Sequence, residues 1–353
     1  MNESKQMEAL VWLGPGTMEI QHTAVPELTS GEVLIAVHIA GICGSELSGY
    51  LGQNSLRVPP LVMGHEAAGE VVAITEGTFA DGSPVRTGTR VTFNPLIGCG
   101  DCDRCRIGLP HLCRQRQLIG AHRSGAFAQF VAVPAGQCYP LPADFSDTNA
   151  TLTEPLACSL RAVKRTQGRP EQSLLILGAG PIGLFALMGA RAEGIQHIYV
   201  SDLSESRLEV ARQWGASATF SARQCDVLAT VREVAPGGCD AVIDAVGSNA
   251  TRAQAVQAVV PGGTVVFIGL HDETSPLATN YLVRQEITLR GSFGYDRSDF
   301  EQAFDFLQRG LLPSEGSWLE ERPLASGPSS FAELVDGKVA ATKIALRVSS
   351  LMA

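Results

Sequence analysis

Hydrophobic residues follow two different patterns along the chain. In the first part, short segments rich in β-branched residues are interrupted by Gly, Pro and Asp. They cover residues 31–41, 67–74, 90–94 and 127–133. Short strands separated by turn residues are typical of irregular, mostly antiparallel β structure. We therefore predict that the first part of the chain is rich in β-strands.

From about Ser173 onward, apolar strands alternate with helical stretches. The strands read LLIL, IYVSD, AVIDAVG and TVVFIGL, and helical segments such as IGLFALMGARAEG and SRLEVARQWGA lie between them. This alternation predicts a parallel sheet with helices on its faces. The chain leaves this pattern after Leu289. The sequence there predicts a loop and a helix, followed by the strand TKIALRV.

The predicted fold is α/β with two domains. We expect residues 1–155 and 291–353 to form a β-rich domain, and residues 156–290 to form a domain with a doubly wound parallel sheet. The apolar stretch Leu174–Ala190 contains four glycines and a proline. It is also shorter than the roughly 20 residues that a membrane span needs. A buried strand, a turn and a helix are predicted there, and no membrane partner is expected.

A glycine-rich motif follows the first strand of the second domain. Gly178, Gly180 and Gly183 form G-x-G-x-x-G, with Pro181 and Ile182 at two of its variable positions. The first glycine permits a tight turn, the second lets the backbone approach a pyrophosphate, and the third allows close packing of helix on strand. The phosphates would lie at the N-terminus of the helix. A strand-to-helix turn without a nucleotide is the alternative interpretation.

An acidic residue ends the next strand. Asp202 lies 24 residues beyond Gly178, where a carboxylate accepts hydrogen bonds from ribose hydroxyls and repels a 2'-phosphate. This favours NAD, although Arg207 is placed either to lie against the adenine or to accept NADP. The alternative role of Asp202 is to cap the next helix. By topology, the nicotinamide half is expected near Val246, Ile268, Gly269, Leu270, Phe293 and Tyr295.

Four of the nine cysteines lie within 15 positions. Cys99, Cys102, Cys105 and Cys113 have the spacing C-x2-C-x2-C-x7-C, in a loop without apolar periodicity. Four thiolates suit a tetrahedral zinc ion with no open position, so a structural zinc is predicted. An iron–sulfur cluster and free thiols are the alternatives. His111, inside the same loop, is expected at the surface.

Charge and cysteine usage exclude other classes of function. The net charge is -9 and the pI is about 5.3, and no run of five or more Lys or Arg occurs, so no nucleic-acid partner is expected. The first ten residues, MNESKQMEAL, lack the apolar stretch of a secretory signal. Nine cysteines without such a signal argue against a disulfide framework. A cytoplasmic location is therefore expected.

The order of several motifs resembles that of the zinc-containing medium-chain alcohol and polyol dehydrogenases. These motifs are Cys43 in GICGSE, His65 and Glu66 in GHEAAGEV, the four-cysteine loop, Glu154 in TEPLACS, and GAGPIG. The resemblance covers essentially the whole chain and is strongest to the branch with sorbitol and galactitol-phosphate dehydrogenases. It implies a GroES-like catalytic domain and a Rossmann domain, with the active site between them. It also implies a homodimer or homotetramer.

The resemblance further implies a catalytic zinc ion, for which alcohol dehydrogenase is itself the standard example. Cys43 and His65 would bind the zinc. Glu66 would bind it or support it, and Glu154 occupies the position of a further ligand that is glutamate in the polyol branch. The zinc would bind and polarise a secondary alcohol, such as a polyol, sugar alcohol or alditol phosphate, while hydride passes to NAD. Ser45 would hydrogen-bond the reacting oxygen.

Three positions depart from the pattern of this family. Glu46 replaces the usual aspartate, Ser48 replaces a histidine that relays the proton in many members, and Gly294 follows Phe293 where sorbitol dehydrogenases have an arginine. Sorbitol itself is therefore a weaker prediction. A threonine or simple alcohol dehydrogenase is one alternative, because the same zinc and NAD machinery serves both. The other is a non-catalytic nucleotide-binding sensor.

Overall fold

The short β segments predicted for the first part of the chain form strands in the structure, a computed structural model that describes residues 5–313 and 318–348. The strands of this part are β1 (Gln6–Gly14), β2 (Thr17–Ala24), β3 (Glu32–Gly41), β4 (Leu61–Val62), β5 (Glu66–Ile74), β6 (Arg90–Phe93), β7 (Leu96–Ile97), β8 (Gln117–Leu118), β9 (Phe130–Pro134) and β10 (Cys138–Pro140). The helices among them are short: α1 (Gly44–Tyr50), α2 (Asp103–Arg106) and α3 (Asp147–Thr151), with 3-10 turns at Pro110–Leu112 and Ala135–Gln137.

The second part alternates strands and helices as its hydrophobic pattern predicted. Its strands are β11 (Ser173–Leu177), β12 (His197–Asp202), β13 (Ala218–Ser221), β14 (Cys239–Asp244), β15 (Val259–Phe267) and β16 (Thr288–Gly291). Its helices are α4 (Thr153–Thr166), α5 (Pro181–Ala192), α6 (Glu205–Gln213), α7 (Val227–Val234), α8 (Asn249–Ala258), α9 (Thr279–Arg284) and α10 (Arg297–Gln308). The chain ends with β17 (Leu319–Pro323), a 3-10 turn at Leu324–Ser326, α11 (Gly327–Val335) and β18 (Lys343–Arg347).

The central strand of the β-rich part is β3. It pairs antiparallel with β5, β9 and β18, so the predicted strand TKIALRV returns to this sheet from the end of the chain. Side chains of β3 alternate between buried and partly exposed, with Val33, Ile35 and Val37 in the core. This alternation is the period of a strand with one face on the core.

The second part contains a six-stranded parallel sheet in the order β13-β12-β11-β14-β15-β16. This is the strand order of a doubly wound dinucleotide-binding fold, with β11 as the first strand. The central strand β11 is almost wholly buried, because helices cover both faces of such a sheet. The two edge strands, β13 and β16, have four residues each, and the apolar pattern of the sequence did not single them out.

The chain divides into two units. The β-rich unit takes the described residues of Met1–Glu154, Leu307–Arg309 and Leu319–Ala353, and the second unit takes those of Pro155–Phe306 and Gly310–Trp318. The sequence instead placed all of residues 291–353 in the β-rich domain, which is wrong for residues 291–306 and for the described residues of Gly310–Trp318. The structure differs because Arg161 of α4 is ion-paired with Asp296 (2.9 Å) and Asp299 (2.8 Å) at the start of α10.

The apolar stretch Leu174–Ala190 is strand β11, a turn and most of α5. This agrees with the buried strand, turn and helix predicted for it. Within residues 5–313 and 318–348, no helix has both the length and the apolar character that crossing a membrane requires.

Candidate active site

Three potential metal ligands converge in the β-rich unit. Cys43 is the N-cap of α1, His65 immediately precedes β5, and Glu66 is the first residue of β5. The Cys43 sulfur, a His65 ring nitrogen and a Glu66 carboxylate oxygen all lie within 4.8 Å of one another. The pairing of β3 with β5 brings them together, because Gly41 at the end of β3 lies opposite Glu66.

Glu46 holds two of these ligands in place. Its Oε1 atom accepts a hydrogen bond from the backbone of Gly64 (2.9 Å) and lies 2.7 Å from Nδ1 of His65. Its Oε2 atom accepts a hydrogen bond from the backbone N–H of Cys43 (3.0 Å). A carboxylate on one ring nitrogen fixes the orientation of a histidine and leaves the other nitrogen for a metal. The glutamate that replaces the expected aspartate therefore performs the same supporting task.

Lys343 holds the third ligand from the opposite end of the chain. Its ammonium group forms an ion pair with Oε2 of Glu66 and donates to the carbonyl of Ile42 (3.3 Å). Both charged side chains are almost fully buried. Removing one partner of such a pair costs about 3–5 kcal/mol, because the other charge stays buried without compensation. Gly41 makes room for the pair, since a side chain there would collide with the Glu66 carboxylate.

The other oxygen of Glu66 points to the kind of group that this site binds. Oε1 is buried and has no hydrogen-bond partner among the described residues. A buried acceptor without a partner costs about 1–3 kcal/mol, so it calls for a cation or a donor. Sulfur, imidazole nitrogen and carboxylate oxygen are the donor types that zinc binds in proteins. The residues present therefore fit a zinc ion.

The electrostatics of this group favour positive charge. Burial alone would lower the pKa of His65, but the Glu46 carboxylate and Cys43 outweigh it and raise that pKa well above its usual value. Burial alone would raise the pKa of Glu46, but His65 and Arg57 lower it. The Glu46 carboxylate thus stabilises positive charge on the His65 ring.

The other predicted catalytic residues occupy different environments. Ser45 Oγ donates to the sulfur of Cys43 (3.4 Å), so this hydroxyl lies beside the ligands. Ser48, which replaces the relay histidine of many family members, donates a hydrogen bond to the carbonyl of Gly44 in its own helix (3.5 Å). Glu154 is buried in the first turn of α4. It is not part of the group of three found among the described residues, and its role as a zinc ligand stays a prediction.

The four-cysteine loop forms a second potential metal site in the same unit. The sulfur atoms of Cys99, Cys102, Cys105 and Cys113 all lie within 4.8 Å of one another. Backbone N–H groups donate to these sulfurs, among them those of Cys99 and Gln115 to Cys113 (both 3.3 Å) and that of Cys102 to Cys99 (3.4 Å). Donation from backbone amides favours thiolates. Four sulfurs this close fit a tetrahedral zinc ion with no open position.

The thiols of this loop differ in acidity: burial raises the pKa of Cys105 to about 12, whereas the pKa values of two others are lowered. A hydrogen bond from the backbone of Cys105 is the main cause that lowers the pKa of Cys102 to about 6. A hydrogen bond from the backbone of Cys99 is the main cause that lowers the pKa of Cys113. His111 was expected at the surface, but this expectation was wrong: it is 1% exposed in the 3-10 turn Pro110–Leu112. Sequence spacing could not show this burial.

The glycine-rich motif forms the turn between β11 and α5. Gly178 has φ +99°, and a side chain there would lie 2.7 Å from Val246. A side chain on Gly183 would collide with the carbonyl of Gly178, so only glycine allows this approach of helix to strand. Gly180 is the N-cap of α5, with Pro181 and Ile182 in the first turn, and a Cβ on Gly180 would meet no atom within 4 Å. This open space above the helix N-terminus fits a phosphate group.

Asp202 joins the motif to the next strand. Its Oδ2 accepts a hydrogen bond from the backbone of Ala179 in the glycine-rich turn (2.7 Å), and its Oδ1 accepts one from the backbone of Ser204 (2.7 Å). The N-cap of α6 is Ser204, so the alternative interpretation of Asp202 as the cap of this helix was wrong: its carboxylate contacts the backbone just before the helix. A carboxylate has about four acceptor positions, and ribose hydroxyls can use the others. Arg207 lies partly buried in α6.

The positions predicted for the nicotinamide half lie at or beyond the ends of later strands. Leu270 is 72% exposed and Phe293 is 38% exposed, whereas Tyr295 is buried against Phe300 with ring centroids 5.6 Å apart. Val246, Ile268 and Gly269 are partly buried in the loops after β14 and β15. Contact of these residues with a cofactor stays a prediction, and the buried ring of Tyr295 is the least accessible of the set.

Sequence reasoning missed three supporting residues. Glu46 lies three positions after Cys43 and was noted only as a departure from aspartate. Lys343 lies 277 residues from Glu66 and carried no local signal. Arg57 is buried between two exposed apolar residues. The one sign of it in the sequence was a charged residue inside an apolar stretch.

Comparison with known proteins agrees with both units. Residues 29–143 match the alcohol dehydrogenase GroES-like domain, and residues 181–309 match the zinc-binding dehydrogenase family. The chain is 31% identical to sorbitol dehydrogenase of Bacillus subtilis, covering 88% of each protein. It is 34% identical to L-threonine 3-dehydrogenase of Pyrococcus horikoshii, covering 82% of this chain and 84% of that protein.

A solved structure gives the same result for the fold. It is an alcohol dehydrogenase of Escherichia coli CFT073 in complex with NADH, with a TM-score of 0.89 and 26% identity, covering 97% of this chain and 99% of that one. The β-rich unit is thus GroES-like and the second unit has a Rossmann-type parallel sheet, as the sequence predicted. The chain belongs to the zinc-containing medium-chain alcohol and polyol dehydrogenases.

Proposed function

We propose that this protein is an NAD-dependent dehydrogenase with two zinc ions per chain, acting on a secondary alcohol such as a polyol, a sugar alcohol or an alditol phosphate. The observation that carries this proposal is the convergence of Cys43, His65 and Glu66, with a buried Glu66 oxygen that has no hydrogen-bond partner in the described part of the chain. A non-catalytic sensor has no need to keep these buried donors together. We therefore favour the enzyme over the non-catalytic sensor.

The residues of the two units have separate tasks in this proposal. Cys43, His65 and Glu66 would hold the catalytic zinc, which when bound supplies a Lewis acid that polarises the alcohol. Ser45 hydrogen-bonds the reacting oxygen. Glu154 would serve as a further ligand, and the four cysteines would hold the structural zinc. The glycine-rich turn would bind the pyrophosphate of NAD, and the carboxylate of Asp202 its adenosine ribose.

Two relatives indicate the class of substrate. The similarity to sorbitol dehydrogenase supports a polyol, and the similarity to L-threonine 3-dehydrogenase supports threonine as a second candidate. Glu154 in place of cysteine is our reason to favour the polyol. A homodimer or homotetramer stays a prediction from family resemblance.

The test is a screen of the purified protein for NADH formation with alditols, alditol phosphates, threonine and simple secondary alcohols. NADP is run in parallel, and zinc and iron are measured per chain. Activity on one class with NAD and about two zinc ions per chain is the expected result. Iron in place of one zinc would overturn the assignment of the four-cysteine loop. Silence across the panel, with zinc and NAD bound, would favour the sensor.

A variant separates the two roles of Asp202. Asp202→Ala removes the charge that repels a 2'-phosphate, so the preference for NAD over NADP should fall by about tenfold or more. The ratio of kcat/KM for the two cofactors measures this. Asp226→Ala is the control, because Asp226 caps α7 through the backbone N–H groups of Leu228 and Ala229. An unchanged ratio in Asp202→Ala would show that Asp202 only holds the backbones of Ala179 and Ser204.

A further inference from the structure

In the segment between α1 and β4, a charged residue is buried and its apolar neighbours are exposed. Leu56 and Val58 are 42% and 72% exposed, whereas Arg57 between them is 4% exposed. Arg57 is the one buried residue of positions 51–60. Placing a guanidinium inside and two aliphatic side chains outside opposes the hydrophobic effect. An arrangement of this kind needs hydrogen bonds that compensate it, and their partners show what the arginine does.

Both terminal nitrogens of the guanidinium group donate hydrogen bonds to the same residue, Ser45. Nη1 of Arg57 donates to the carbonyl oxygen of Ser45 (3.1 Å), and Nη2 donates to its hydroxyl oxygen (3.3 Å). Nε donates to the carbonyl of Gly120 (3.3 Å). Because the guanidinium group is planar, these hydrogen bonds to the main chain and the side chain of Ser45 fix the position of both.

The direction of these hydrogen bonds determines where the serine hydrogen points. An arginine has donors only, so the Ser45 oxygen must accept from it. The single hydrogen of the hydroxyl is then directed elsewhere, and in this structure it is donated to the sulfur of Cys43 (3.4 Å). The result is a chain of donors that runs from Arg57 through Ser45 to the ligand group.

The surroundings are adapted to this arginine. A Cβ on Gly49 in α1 would lie 2.7 Å from Cδ of Arg57, so a glycine in the helix leaves space for its stem. Glycine in a helix interior costs about 1 kcal/mol relative to alanine, which the buried contacts must offset.

We propose that Arg57 is a positioning residue, which holds the Ser45 hydroxyl as a hydrogen-bond donor to the substrate oxygen during oxidation of the alcohol. This inference rests on the proposed dehydrogenase function. Loss of the alcohol proton to solvent leaves negative charge on the oxygen until hydride transfer to NAD forms the neutral carbonyl. A donor fixed in advance stabilises that charge without reorganisation. Ser48 replaces a relay histidine, which makes the orientation of Ser45 more important in this chain.

The test is a double-mutant cycle in the zinc-loaded enzyme with Arg57→Met, Ser45→Ala and the two combined. Arg57→Met should lower kcat by about 10- to 100-fold, as loss of a residue that supports a ligand shell does. KM and the dissociation constant of NAD should change by about twofold at most, because the methionine fills a similar volume. The combined variant should be no slower than Ser45→Ala within about twofold, since Arg57 acts through Ser45.

Controls separate positioning from structure. Arg57→Lys, which keeps one donor, should recover part of the lost kcat. Arg322→Met removes a partly buried arginine that pairs with Glu320 and Glu333 in the same unit, and it should leave kcat unchanged. If Arg57→Met does not fold, Gly49→Ala displaces the arginine without removing its charge, and it should lower kcat in the same direction.

A crystal structure of Arg57→Met tests the positioning of Ser45 separately from the proposed dehydrogenase function. Ser45 should leave the rotamer that reaches the Cys43 sulfur, whether or not a substrate has been found. An unchanged Ser45 rotamer, or a kcat loss that adds fully to that of Ser45→Ala, would overturn the role of Arg57. Failure of the substrate screen alone would overturn the dehydrogenase and leave the positioning of Ser45 by Arg57 intact.

Discussion

The β-rich unit contains two groups of ligand atoms that are equally close-set but built in different ways. In the four-cysteine loop, all ligands come from 15 consecutive positions, and backbone N–H groups hold the sulfurs. The group of Cys43, His65 and Glu66 comes from two separate segments, and the buried side chains of Glu46 and Lys343 hold it. The first group contains only sulfur, and the second contains three kinds of donor.

The difference corresponds to two tasks. Four sulfurs complete the tetrahedral coordination of zinc, so the loop has no position for a substrate and contributes stability. Three mixed donors, each held by a supporting side chain, suit a site that must exchange one ligand during each turnover. The two groups should therefore respond to substitution in opposite ways, the loop through stability and the Cys43 group through activity.

The largest effect is expected from Cys43→Ala. Lewis-acid catalysis contributes several kcal/mol, so kcat/KM should fall by about 10³-fold or more. Zinc should fall from about two to about one ion per chain, while the NAD dissociation constant stays within about twofold. Steady-state kinetics, metal analysis and NAD titration measure the three quantities. Cys138→Ala, which removes a fully buried thiol of the same unit, is the matched control and should keep both zinc ions. Substantial turnover in Cys43→Ala would contradict the catalytic role.

The contrast between the two groups also explains how much the sequence predicts. The four-cysteine loop and the glycine-rich turn were identified from consecutive residues, because their geometry is set by local spacing and the strands β11 and β12 follow a regular apolar pattern. The Cys43 group was identified only through family resemblance, since a lone cysteine or a His-Glu pair has many ordinary roles.

The supporting residues lie beyond what local patterns contain. Lys343 reaches Glu66 because β18 pairs with β3, and no property of either segment alone indicates that contact. The return of the chain to the β-rich unit was misplaced for a related reason. Ion pairs of Arg161 with Asp296 and Asp299 attach the start of α10 to the second unit, and these are contacts between segments 135 and 138 residues apart.

A smaller effect, on stability instead of turnover, is expected from Cys102→Ser. Loss of one thiolate should release the zinc of the loop, and this loop has no apolar core to replace it. The unfolding midpoint should fall by roughly 10 °C, which corresponds to several kcal/mol for a chain of this size. Differential scanning calorimetry with metal analysis measures this. Cys225→Ser, a partly buried thiol outside the loop, should retain both zinc ions. A normally stable Cys102→Ser protein that has lost one zinc ion would refute the structural role.

The smallest effect is expected from Glu46→Gln, and it tests the support of the Cys43 group directly. The glutamine side chain keeps the shape of Glu46 but offers one acceptor oxygen, whereas the glutamate accepts from the backbones of Cys43 and Gly64 and lies against His65. Its NH2 group must therefore face a donor on one side, and the negative charge beside His65 is lost. Zinc affinity of the catalytic site should fall by about 10- to 100-fold, while that of the cysteine loop stays unchanged.

Competition with a zinc chelator measures both affinities without reference to turnover. Glu32→Gln is the matched control, because Glu32 is also buried in the β-rich unit and accepts from the backbone of Thr29 (3.0 Å) and from Arg123 (2.6 Å), away from the ligands. That variant should lose some stability and keep both zinc affinities. If Glu46→Gln and Glu32→Gln behaved alike, Glu46 would be an ordinary buried carboxylate, and the Cys43 group would be held by its strands alone, as the cysteine loop is held by its backbone.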